Sequence, residues 1–282
     1  MKALGPTRIA LRLLMRNRMA VGSMIVLSVI VGLALAAPIL PIPPQERINL
    51  EYGPRPPSPA HPLGTDDLGR DLLSRVLYGT RISLAVGLLA TAVSLVIGVT
   101  YGAVAGYAGG RLDNVMMRVV DILYGLPWMF LVIILLVVFG RSILNLFIAL
   151  GAVQWLTMSR IVRGQVLSVK EKEYVEAARA VGCGRRRFLF RHILPNVLGP
   201  VIVYSTLMVP AVMLEESFLS FLGLGVPDPY ASLGKLAKAG ADAMQSYPWM
   251  LIFPGAVLTV ILFSLNFVGD GLRDALDPQL KK

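Results

Sequence analysis

Six apolar stretches of roughly 20 residues each divide the chain, at 19–40, 82–107, 119–139, 143–162, 198–222 and 250–268. A helix of that length covers about 30 Å, the thickness of a bilayer's hydrocarbon core. The sequence therefore predicts an all-α integral membrane protein with six transmembrane helices. A soluble fold is excluded by composition. The 282 residues are 55% hydrophobic and 16% charged, against about a quarter charged in soluble domains.

The basic residues between the stretches orient them. Nineteen of the 27 Lys and Arg fall in one set of loops, among them Arg8, Arg12, Arg16, Arg18, Arg111, Arg118, Arg160, Arg163 and Arg185–Arg187. The other eight, including Arg47, Arg55, Arg70, Arg75, Arg81 and Arg141, fall in the alternate set. Positive charge collects on the cytoplasmic side, so the first set and both termini are expected inside. The same bias accounts for the net charge of +10 without nucleic acid, for which no binding motif is present. Residues 1–18 read as a cytoplasmic segment. Residues 19–40 read as an uncleaved first span, longer than the apolar region of a signal peptide despite the Ala34-Leu35-Ala36 sequence.

Residues 41–81 form an outer loop. Its first part is too rich in proline (Pro41, Pro43, Pro44, Pro54, Pro56, Pro57, Pro59, Pro62) for regular helix. From 65 to 78 the pattern changes. Thr65 or Asp66 can cap a helix, Leu68, Leu72 and Val76 make one apolar stripe, and Gly79 can end it. A short amphipathic helix on the outer surface is expected, followed by a five-span core over 82–282. Cys183 is the single cysteine and His61 and His192 the two histidines, so no metal site is expected.

The longest inner loop spans 163–197. Within it, 172–181 has good helix formers and no Pro or Gly, with Gly182 placed to end the helix. Tyr174, Ala177, Ala178 and Val181 share one face. From periodicity alone, that face either meets a partner or lies on the bilayer interface. The order Glu176-Ala177-Ala178, then Gly182, then Leu194-Pro195 resembles the EAA loop of ABC importer permeases. The family's usual apolar residue ten positions after the glycine is replaced by His192, as in its peptide/nickel branch. The segments His61–Asp71, Glu216–Gly225 and Asn266–Pro278 are similar to the DppC/OppC-like permeases of that branch, so the likeness spans nearly the whole chain.

The resemblance implies a permease subunit of a prokaryotic cytoplasmic-membrane importer for di- or oligopeptides, with nickel or another small solute as the alternative cargo. It implies an EAA-type coupling helix between spans four and five, in which Glu176, Ala177, Ala178, Gly182, Leu194 and Pro195 meet an ATPase. The implied partners are a second homologous permease, two cytoplasmic ATPases that bind ATP and Mg²⁺, an extracytoplasmic binding protein and membrane lipid. No cofactor is expected in this chain itself. Gly234-Lys235 is followed by leucine and does not make a phosphate loop, and no nucleophile elbow or zinc-protease pair occurs, so no catalytic residue is expected.

Glu215 and Glu216 fall within the fifth stretch. Charges at such depth face protein or water, and adjacent helical residues point about 100° apart. Either one carboxylate lines a translocation path or its outer gate, or it pairs with a neighbouring helix. Arg118 is the expected partner of Asp121, one turn away. Pro127 and Pro210 are expected to kink their helices and no more. A competing class is an ion-driven secondary transporter using Glu215 or Asp121 as proton carrier, and a third is a membrane scaffold. The former gives 172–181 no role, and the carboxylates within the membrane count against the latter.

Overall fold

The computed structural model describes residues 6–175 and 193–276. Among these, every regular element is helical, apart from an isolated bridge between Thr65 and Asp71. The elements are α1 (Pro6–Arg16), α2 (Arg18–Ala36), α3 (Leu72–Ala108), α4 (Gly110–Tyr124), α5 (Trp128–Phe139), α6 (Ile143–Lys170), α7 (Leu194–Phe221), α8 (Leu233–Asp242) and α9 (Trp249–Leu276). Five of them are long and apolar enough to cross a bilayer, and the α4–α5 pair taken as one span makes six.

The outer segment departs from expectation. The helix starts at Leu72, not near Thr65, and runs 37 residues through Gly79 into the second span. Asp71 is the cap, its carboxylate accepting the Ser74 N–H at 2.7 Å. Thr65 and Asp66 build the turn before it. Asp66 accepts the N–H groups of Leu68 and Arg70 and pairs with the side chains of Arg70 and Arg75. Gly79 does not end the helix; it lets α8 approach, since a Cβ there would stand 3.3 Å from Leu236 and the Ser232 backbone.

The third span is likewise not one helix. The α4 and α5 axes differ by 86°, with extended backbone at Pro127. Pro127 lacks an N–H and restricts the residue before it, so it restarts a helix where only a kink was expected. Pro200, Pro210 and Pro254 sit inside unbroken helices. The fourth span extends eight residues past 162 and the fifth begins at Leu194. The segment between them is therefore shorter than the expected 163–197. Helix α8, capped by Ser232 on the Lys235 N–H at 3.1 Å, has no counterpart in the sequence reading.

The closest packing joins α3 to α6. Ala90, Ser94, Gly98, Gly102 and Gly106 recur every four residues along α3. A Cβ on Gly98 would come within 2.6 Å of Met158 Cβ, and one on Gly102 would run into the Ser159 carbonyl. On the facing helix, Gly151 lies against the Ala90 carbonyl. Such small-residue seams let membrane helices gain dispersion energy where water-driven burial is absent. Two apolar cores result. One joins α3, α5, α6 and α7 around Leu146, Leu150, Met158 and Val212. The other joins α3, α7, α8 and α9 around Leu72, Met213, Leu233 and Ile261.

Candidate functional site

Glu215 and Glu216 are turned to opposite surroundings by α7. Glu216 is fully buried. Its Oε1 accepts the Ser220 hydroxyl at 2.8 Å, and its Oε2 accepts the Ser83 hydroxyl of α3 at 3.4 Å. Ser83 Oγ in turn accepts the Leu233 N–H at the start of α8, at 3.0 Å, and Ser220 Oγ lies 3.4 Å from Ser232 Oγ. One carboxylate and three hydroxyls thus tie α3, α7 and α8 together, satisfying a group whose isolated burial would be costly.

Glu215 faces a cavity of about 290 Å³. Its Oε1 accepts the Gln154 amide from α6 at 2.6 Å. The opposite wall is the broken span, with Tyr124, Pro127 and Trp128 at the bend, and Thr157 completes the lining. Trp128 also meets Phe218 of α7, ring centroids 6.3 Å apart. The bend therefore exposes an irregular stretch of chain to a space containing one carboxylate, one amide and two aromatic rings. Non-helical backbone at membrane depth is tolerated where it lines a cavity of this kind.

Below the cavity, α6 grips α4 with two arginines. Asp121 pairs with Arg160 at 2.8 Å, not with the expected Arg118, because Arg160 reaches across from α6 while stacked 4.2 Å over the Tyr124 ring. Arg163 holds Asp113 through two bonds, 2.5 and 2.7 Å, a planar fork on a carboxylate. Two further turns along, Lys170 Nζ donates to the Gly106 and Tyr107 carbonyls at 3.0 Å each, a cation at the C-terminal end of α3.

The residues expected to meet an ATPase divide between described and undescribed chain. Glu176, Ala177, Ala178 and Gly182 lie outside the described residues. Leu194 and Pro195 form the first turn of α7, where proline's missing N–H costs nothing. The described flanks are anchored: Val175, Ile193 and Val197 are all buried in the α3–α6 core, while Tyr174 is exposed. Among the described residues no three His, Cys, Asp or Glu side chains converge as metal ligands.

At the opposite end, His61–Asp71 forms a knot. His61 Nδ1 lies 2.7 Å from Asp71 Oδ2, and Thr65 Oγ1 donates to the Gly53 carbonyl at 2.7 Å. Trp249 Nε1 at the start of α9 donates to the Thr65 carbonyl at 3.1 Å. Gly64 and Gly69 take positive φ of 80° and 69°, which this fold of the loop requires. On the same side, Lys235 Nζ donates to Asp228 at 2.8 Å. That bond holds the Asp228 carboxyl below its ordinary range.

Comparison with known proteins places this arrangement. Residues 98–282 match the family described as binding-protein-dependent transport system inner membrane component. The chain belongs to that family. Residues 5–57 match the N-terminal transmembrane domain of oligopeptide transport permease C. The oligopeptide transport system permease protein OppC of Escherichia coli K12 is 50% identical over 272 residues, covering 96% of this chain and 90% of that one. The dipeptide transport system permease protein DppC of Bacillus subtilis is 43% identical over 281 residues, covering 99% and 88%. An inward-facing MetNI methionine ABC transporter chain superposes with TM-score 0.62 at 18% identity, over 73% of this chain and 98% of that one, a likeness of fold. The protein is thus a multi-pass permease subunit of the ABC importer class, a transport component and not an enzyme.

Sequence reasoning named the two glutamates but missed Gln154 as the partner of Glu215, and Arg160 and Arg163 as the partners of Asp121 and Asp113. Gln154 had a signal, as an isolated amide inside an apolar stretch. The three serines around Glu216 had none, being ordinary small residues in helices.

Proposed function

We propose that this chain is one of two permease subunits of a peptide importer in a prokaryotic cytoplasmic membrane, with both termini inside. Its partners are a second, homologous permease, an extracytoplasmic binding protein and two cytoplasmic ATPases that bind ATP and Mg²⁺. The observation that carries this reading is near-full-length identity of 43–50% to proteins named oligopeptide and dipeptide permeases. The Glu215–Gln154 cavity supplies this chain's polar part of the path, with Glu216 as its structural support. The segment around Glu176–Gly182 docks the ATPases, and Leu194-Pro195 sets the direction in which the chain returns to the membrane.

The geometry supports a route from motor to path. A pull on the segment after Lys170 acts first on α6. Arg163 and Arg160 pass it to Asp113 and Asp121 on α4. Helix α4 ends at the bend that walls the cavity. The decisive experiment is gentle purification with identification of co-purifying chains, followed by uptake of labelled di- and oligopeptides into proteoliposomes with ATP inside. Recovery of two ATPase chains and a second permease, with peptide uptake, is expected. Uptake of nickel but not peptide overturns the cargo, and transport without ATP overturns the class.

A further inference from the structure

A second space lies away from the path. Helices α2, α3, α7 and α9 enclose a crevice of about 780 Å³ near the proline-rich end of the spans. Its walls are hydrocarbon: Val31, Leu35, Leu84 and Leu88 are among them, with Leu35 and Leu88 largely exposed. A volume in the 300–1,000 Å³ range takes a whole small molecule. The mouth is different. Arg81 stands there, about 14 Å along α3 from its first residue, stacked 5.4 Å from the Tyr78 ring. Among the described residues no carboxylate pairs with it. Gln45, in the chain following α2, lines the same crevice. Its Oε1 is buried without a hydrogen-bond donor.

We propose that this crevice binds one phospholipid of the leaflet on the proline-rich side, as a fixed component of the subunit. The acyl chain lies along Val31, Leu35 and Leu88. The phosphate meets the Arg81 guanidinium, a geometry arginine favours, at the level where aromatic and basic side chains mark the bilayer interface. The head group must also donate a hydrogen bond, because Gln45 Oε1 has an acceptor to satisfy and a buried acceptor left alone is costly. Phosphatidylethanolamine, through its ammonium, and phosphatidylglycerol, through its hydroxyls, meet both demands. Phosphatidylcholine has the phosphate but no donor.

The test is made on the complex as it co-purifies, stripped by detergent exchange and reconstituted separately with each of the three lipids. Retained lipid is counted by native mass spectrometry after release into detergent. Retention of phosphatidylethanolamine or phosphatidylglycerol over phosphatidylcholine is expected. Arg81→Gln should lower it about fivefold, the worth of one basic contact near an anionic group, and Arg81→Lys should restore most of it. Leu88→Trp narrows the crevice from an exposed position and should also expel lipid without loss of the complex. Equal retention of all three lipids, or unchanged retention in Arg81→Gln and Leu88→Trp, overturns the proposal. So does photocrosslinking of a benzophenone maleimide on Leu88→Cys to a neighbouring subunit, which would make protein the occupant. Counting lipid needs no transport, so failure here is separable from failure of the peptide-import reading.

Discussion

Two carboxylates adjacent in sequence, Glu215 and Glu216, occupy environments as unlike as any in the molecule. Glu216 is sealed among three serines and fixes three helices. Glu215 has one amide partner and a cavity in front of it. The 100° between successive residues on a helix separates a sealed, fully bonded group from one that opens on a cavity. Residue type therefore says little about role here; the facing helices decide it.

Glu216→Ala should break the pair of roles most severely. It strands Ser83, Ser220 and Ser232 around a void, at a cost of about 3 kcal/mol, read as loss of assembled complex and a lower melting temperature in detergent. Glu216→Gln should recover much of that stability. Gly102→Val, in the α3–α6 seam, should behave like Glu216→Ala, losing about 2 kcal/mol by overpacking and transporting normally in whatever fraction assembles. Glu215→Ala should do the reverse, cutting peptide uptake by about tenfold, equivalent to 1.4 kcal/mol, with melting nearly unchanged. If Glu215→Ala unfolds the protein while Glu216→Ala only slows uptake, the assignments are interchanged.

Smaller effects sharpen the contrast. Arg160→Ala removes a half-exposed pair worth about 0.5 kcal/mol, so stability should barely move. Transport per ATP hydrolysed should still fall, because the link from α6 to the bend is cut. An unchanged coupling ratio would remove Arg160 from the route. The Asp228–Lys235 pair sets the floor. Its carboxyl is held below the ordinary range in the folded protein by the Lys235 hydrogen bond. Its contribution is therefore complete above the unfolded value near 4 and lost as pH falls through the folded one. Asp228→Asn should shift stability by about 0.3 kcal/mol at neutral pH, and by nothing at acid pH.

The spans were legible because the bilayer imposes length and apolarity on any crossing helix. The four prolines in helical stretches were not separable by the same means. Pro200, Pro210 and Pro254 are carried inside intact helices, whereas Pro127 separates two. The difference lies in which neighbours repair the lost hydrogen bond, and those are remote in sequence. Gly79 failed as a helix stop for a related reason: it faces α8, an element too short to announce itself. For the glutamates, the sequence yielded their angular separation but not the assignment. Glu216's partner Ser83 is 133 positions away, and no local pattern registers that meeting.

The glycine seam between α3 and α6 carries a mechanical consequence. The glycines of α3 lie directly against Met158, Val162, Val166 and the Ser159 carbonyl of α6, leaving no gap for lipid to enter, so sliding one helix past the other forfeits contact at every step. These two helices then serve as a rigid post. Any rearrangement of the subunit is then left to elements held through side chains, the broken third span among them.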